Sequence, residues 1–190
     1  MPDIDIDGLP IVERARLFVA CFAWMQKKGG FLPKEAYFAR LRTFPTVYTE
    51  VITFARDAEG YHVLLDLRPG DDPYYPNMYG SQGGTLMMRE TNEDVLKKHV
   101  AKESGIPFAS LPLYTGTVCA PLTERDHAVV IVFGRIVEGK PEKHLGTFLP
   151  MKDYLNTKVV PSNRAYVDLA FDVLVRGQMP QFREYLGTGA

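Results

Sequence analysis

One stretch constrains this chain more than any other: Gly84 to Ile106, GTLMMRETNEDVLKKHVAKESGI. It is preceded by a second glycine, Gly83, and the pair predicts a turn. Glu90 follows, and from Thr91 to Ser104 the composition favours a helix, acidic in its first turn and basic further on. Gly105 supplies the left-handed residue that ends a helix, and Ile106 leads back into a core. Glycine turn, helix and glycine stop thus form one module that needs a partner surface for its apolar positions.

The flanking sequence supplies that surface. Thr46 to Arg56 is rich in β-branched and aromatic residues and predicts a strand; Asp57-Ala58-Glu59-Gly60 predicts a turn, and Tyr61 to Leu67 the return strand. Arg68 to Gly84 reads as a long loop carrying Tyr74, Tyr75 and Tyr79, with a short strand expected over Thr85 to Met88. Further strands are expected over Leu113 to Ala120, Ala128 to Val137 and His144 to Leu149. A last helix is expected over Asn163 to Arg176, capped by Ser162 and ended by Gly177. The order predicts an α/β fold, a mixed sheet with helices on its faces. Ahead of it, Ile11, Ala15, Phe18, Phe22 and Met25 recur at helical spacing over Ile11 to Lys28, and Tyr37, Phe38 and Leu41 mark a second short helix. The organisation is an N-terminal arm and helical hairpin (1–45), the α/β domain (46–177) and a C-terminal tail (178–190).

Composition excludes several classes. Charged residues make up 24% and the net charge is −1, so no broad basic surface for nucleic acid or membrane is present. The longest apolar run, Leu17 to Met25, is too short to span a bilayer, and a cytoplasmic location is expected. The two cysteines, Cys21 and Cys119, lie in apolar runs and read as buried free thiols. No phosphate-binding P-loop, dinucleotide-binding glycine motif or Ser/His/Asp arrangement occurs.

The module at Gly84 resembles the Nudix box, in which a glycine is followed at fixed spacing by a glutamate, an Arg-Glu pair, two further glutamates, a glycine and an apolar residue. Gly84, Glu90, Val100, Glu103, Gly105 and Ile106 fall at the required positions. Lys98 stands for the arginine, and His99 and Lys102 stand where the family has glutamates. The resemblance runs from Thr46 to Arg176 and implies a Nudix-like α/β/α sandwich. It also implies a nucleoside diphosphate-linked ligand, and hydrolysis of its diphosphate with Mg2+ or Mn2+ held by box glutamates.

Carried onto this chain, the catalytic candidates are Glu103 and Glu90, and the metal-ligating candidates are Glu103, Glu90 and His99. Three glutamates on the helix would carry about three negative charges; His99, Lys102 and Glu103 carry about zero. Imidazole is not the ligand magnesium prefers, and an ammonium repels a cation. The resemblance therefore implies a divergent member whose metal-dependent hydrolysis is weakened or lost. Lys102 would offer a tethered positive charge to phosphate, with Gly83, Gly84, Arg68 and Tyr79 as the other ligand-binding candidates. The alternative is an active hydrolase using Glu103, Glu90 and a base from Glu124, Asp126 or His127. Enzyme and binding module both stay open, as does a homodimer.

Overall fold

The β-branched run at the head of the domain forms the central strand. In the computed structural model, which describes Pro10, Val12, Glu13, Arg16, Leu17, Ala20 and residues 46–86, 90–107, 110–120 and 127–185 (the side chains of Lys98 and His99 excepted), β1 spans Thr46–Asp57. It is followed by β2 (Gly60–Leu67), β3 (Tyr79–Gly80) and β4 (Gln82–Thr85). Further on come β5 (Leu113–Ala120), β6 (Ala128–Glu138), β7 (Thr147–Pro150) and β8 (Gln181–Glu184). Helix α1 winds in three parts, Asn92–Val95, a π-helical segment Leu96–Val100 and Ala101–Ser104. Helices α2 (Met151–Tyr154) and α3 (Pro161–Leu174) complete the set.

The sheet runs β3-β2-β1-β6-β5-β8. β1 is parallel to β6 along almost its whole length. On its other side β1 is shared: β4 pairs antiparallel with Tyr48 to Val51, and β2 with Thr53 to Asp57. β7 pairs with the far edge of β2. Being covered on both faces, β1 buries consecutive residues, and Ile52, Phe54 and Ala55 are all fully buried. Strand alternation sends Val51 toward α1, where it meets Leu96, Val100 and Phe133. Phe54 goes to the opposite face, edge-on to Phe171 of α3. The result is the expected α/β/α sandwich around a mixed sheet.

Several expectations shift in detail. The short strand comes earlier than predicted, at Gln82–Thr85, so Gly83 and Gly84 are strand residues rather than an open turn. Helix α3 starts one residue before Ser162: Pro161 takes the first helical position, and Val160 is the cap without a side-chain bond. Gln181–Glu184, read from sequence as part of a tail, adds to the sheet as β8, parallel to β5. Cys119 is a free thiol but only half-buried. The chain divides into two compact units, Met1–Arg40 and Leu41–Ala190. In the first, Val12, Glu13, Arg16, Leu17 and Ala20 are helical and exposed; the rest of the expected helical hairpin, with Cys21, lies outside the described residues. Among the described residues, no helix is long and apolar enough to cross a membrane.

Candidate functional site

The alternation of β1 divides the site between two faces. Toward α1, Thr49 donates its hydroxyl to Asn92 Oδ1 at 2.6 Å, beside the Val51, Leu96 and Val100 contact. The helix is closed at both ends. Thr91 Oγ1 accepts from the Asp94 amide at 3.2 Å while the Asp94 carboxylate accepts from the Thr91 amide at 2.9 Å, a reciprocal capping box. Gly105 adopts φ 66°, the left-handed conformation a side chain resists. Arg135 of β6 then clamps the exit: its guanidinium donates to Ser104 Oγ, Ile106 O and Pro107 O, and to Thr53 Oγ1 at 2.9 Å. Burial lowers that guanidinium to about 10, still cationic at neutral pH.

The polar face of α1 carries the predicted chemistry. Glu90 and Glu103 are half-buried and each engages another group; Lys102 is exposed. Of the other helix acids, Glu93 pairs with Lys97 and Asp94 is used in the cap. His99 lies in the π-helical segment, whose i→i+5 bond joins the Ala101 amide to Leu96 O, while Lys102 and Glu103 lie in the α-helical turn that follows. Their expected sharing of one face therefore does not rest on regular α-helical spacing. Among the described residues, no group of three or more His, Cys, Asp or Glu side chains comes together to hold a metal ion.

The other face of β1 opens onto a cleft. Tyr48 and Glu50 line it from β1, Arg68 and Tyr75 from the segment after β2, Ser81 from beside β4, and Ser162, Asn163 and Tyr166 from α3, with Ala128 and Val130 of β6 beneath. Arg68 is partly committed: Nε and Nη2 donate to Asp72 Oδ2 at 3.1 and 2.5 Å. Asp72 Oδ1 accepts from the Tyr74 and Tyr75 amides at 3.0 and 2.9 Å, which places Tyr75 in the cleft wall. Burial pushes the Asp72 carboxyl up, but the Tyr75 amide, Arg68 and the Tyr74 amide outweigh it and hold the group below the usual carboxylate range.

Glu50 and Gly83 face each other across the β1–β4 ladder. A Cβ on Gly83 would lie 2.5 Å from the Glu50 carboxyl carbon and closer still to Thr49 O, so only glycine fits beside this carboxylate. Ser81 ties the cleft together: its hydroxyl donates to Glu50 Oε2 at 2.8 Å and its amide to Asn163 Oδ1 at 2.9 Å.

Of the residues predicted from sequence, Arg68 lies in the cleft, while Gly83 is the ladder partner of its lining residue Glu50 and Gly84 that of Thr49. Tyr79 is elsewhere: its amide donates to Lys158 O and its carbonyl accepts from the Val160 amide, both at 2.8 Å, so it braces the approach to α3. Tyr75 is the tyrosine of that loop that reaches the cleft. His127 is exposed just before β6, and Glu124 and Asp126 lie outside the described residues. Glu50, Ser81 and Asn163 were not anticipated. Glu50 carried one signal, the single charged residue of its strand before Arg56.

No family model matches the chain, and no curated protein matches it. Solved structures do. The Nudix domain of Shewanella oneidensis NrtR, solved with ADP ribose, is similar over 76% of this chain and 100% of its own, at 15% identity and a TM-score of 0.59. A MutT/Nudix family protein from Listeria innocua is similar over 72% and 96%, at 16% identity and 0.57. The C-terminal domain of mouse MUTYH, solved in complex with human PCNA, is similar over 72% and 92%, at 17% identity and 0.56. At these identities the likeness concerns the fold, and it defines this domain as Nudix-like.

Proposed function

We propose that this chain recognises a nucleoside diphosphate-linked or similar diphosphate ligand in the cleft between β1 and the start of α3, with the Mg2+- or Mn2+-dependent pyrophosphohydrolysis of Nudix enzymes weakened or lost. The carrying observation is the cleft itself. One cation (Arg68), a tyrosine wall (Tyr75, Tyr166) and hydrogen-bonding groups (Glu50, Ser81, Asn163) converge there beside the box-opening glycine strand. A domain of similar fold has been solved with ADP ribose, which supports a ligand of this class. The weakened chemistry rests on α1, where Lys102 and His99 replace acids and the first-turn acids, Glu93 and Asp94, serve structural pairs. Glu103 and Glu90 stay as the acids around which any residual hydrolysis would be organised, with Lys102 able to face phosphate in a metal's place.

Calorimetric titration of ADP-ribose and ADP, with EDTA and then with Mg2+ or Mn2+, tests the reading. Binding that survives the chelator and falls in Arg68→Ala, a residue of the cleft, supports it. Hydrolysis assays run beside the double variant His99→Glu/Lys102→Glu separate the alternatives. Turnover by the wild type that Glu103→Gln stops would establish the active hydrolase instead; turnover by the double variant only would make α1 a relic on an intact scaffold.

A further inference from the structure

A second cavity, of about 200 Å3, lies at the turn of the β1–β2 hairpin and shares no lining residue with the cleft. Tyr61 of β2 and Phe171 of α3 line it, edge-on to each other at 5.7 Å. Pro150, which ends β7, and Met151, which starts α2, add to the apolar lining. An apolar cavity of about 150 Å3 already accepts a benzene ring, so this one admits a six-membered ring with a short substituent. His62 lines the same cavity although only 1% of it is exposed. The sheet fixes its place, between Ala55 of β1 and Pro150 of β7. Its Nδ1 lies 3.6 Å from Asp57 Oδ2 and is enclosed without a hydrogen-bond partner. That carboxylate is itself held, by Lys140 at 3.2 Å and by the Glu59 amide, which donates to Oδ1 at 2.9 Å. A lone pair on Nδ1 would face a negative oxygen, so the ring proton belongs on Nδ1. Nε2, on the side of the ring away from Asp57, is then an acceptor that calls for a donor.

We propose that this cavity is a second ligand site, one that takes a phenolic α-amino acid of the tyrosine type. The ring enters among Tyr61, Phe171, Pro150 and Met151, and its hydroxyl donates to His62 Nε2. The charges at the mouth select the rest of the ligand. Glu59 and Lys152 both line the cavity and both are exposed. A ligand of one charge would be drawn by one of them and repelled by the other; a zwitterion is drawn by both. An α-amino acid meets that requirement, its ammonium toward Glu59 and its carboxylate toward Lys152, while both groups keep their water. The site goes beyond the diphosphate reading and stands whether or not that reading holds.

The test titrates four compounds into isotope-labelled protein and follows the amide NMR signals: tyrosine, phenylalanine without the hydroxyl, tyramine without the carboxylate, and 3-(4-hydroxyphenyl)propionate without the ammonium. Tyrosine should shift the amides of Tyr61, His62 and Met151 and leave Ser81 and Asn163, in the cleft, in place. Loss of the buried hydrogen bond predicts that phenylalanine binds about tenfold more weakly than tyrosine. Loss of either exposed charge predicts a smaller drop, about twofold to threefold. This series needs no variant. Lys152→Glu, at an exposed position, then puts two acids at the mouth, so tyramine should gain affinity and 3-(4-hydroxyphenyl)propionate should lose it. Equal binding of tyrosine and phenylalanine overturns the assignment of His62 and with it the phenolic class. Shifts confined to the cleft, no shifts at millimolar tyrosine, or an unchanged order of the two charged analogues in Lys152→Glu overturn the site. None of these outcomes touches the titrations of ADP and ADP-ribose, so the two readings fail separately.

Discussion

The two faces of β1 differ in what they keep. On the α1 face the frame is complete: a capping box at Thr91 and Asp94, an apolar anchor of Val51, Leu96, Val100 and Phe133, a glycine stop and the Arg135 clamp. Its outward chemistry is near neutral. On the α3 face little is regular, yet the hydrogen-bonding groups converge there: Glu50, Ser81, Asn163 and Arg68 meet in one cleft. The contrast teaches that a motif's spacing can preserve the scaffold of a site while the groups able to meet a ligand are supplied by residues the motif does not contain.

Single substitutions can break one face and spare the other. The largest expected effect is on the α1 side. Arg135→Met keeps the aliphatic stem but leaves Ser104, Ile106 and Pro107 without the guanidinium, at a cost of about 2–3 kcal/mol in urea unfolding. Faster amide exchange should be confined to the Gly105 exit; exchange spread through α3 would show that the two faces are not separable. Next, Gly83→Ala forces a methyl group onto Glu50 and Thr49 and should cost about 2 kcal/mol, with ADP binding lost before α1 loosens. Thr91→Ala removes the cap and should lower stability by about 1 kcal/mol with ligand binding unchanged.

The smallest effect concerns Asp66, which accepts from Gln82 Nε2 at 3.0 Å. Burial pushes its carboxyl above the usual value, and the Gln82 bond only partly offsets this. A raised value in the folded state means that protonated Asp66 stabilises the fold at low pH, and that this contribution is lost as pH rises through the folded value. Asp66→Asn should match the wild type well below 3.8 and exceed its melting temperature at neutral pH. A constant difference across the pH range would assign the effect to packing.

Much of the fold was legible because its signals are local. The β-branched run gave β1 within a residue of its observed end, Leu113 to Ala120 was read at its observed bounds, and Gly105 marked the helix stop. β4 was displaced because Gln-Gly-Gly-Thr has poor strand propensity and is held by pairing with β1 rather than by its own residues. β8 escaped notice for a similar reason: four residues after a helix become a strand only because β5 offers an edge. The cleft was least legible. Glu50 is thirty-one residues from Ser81, and Ser81 eighty-two from Asn163, and no spacing rule connects them. Arg68 was expected at the site, but its partner Asp72 was not, and that pairing changes what Arg68 can offer to phosphate.

The π-helical segment at Leu96–Val100 has a consequence of its own. A π turn is an α-helix holding one residue more than it needs, so α1 carries slack. Removing one residue there would let the helix rewind as continuous α. The turns on either side would keep their facing, since the wider i→i+5 turn already absorbs the extra residue locally. The chain could thus change its length by one at this point while Glu90 and Glu103 keep their mutual facing.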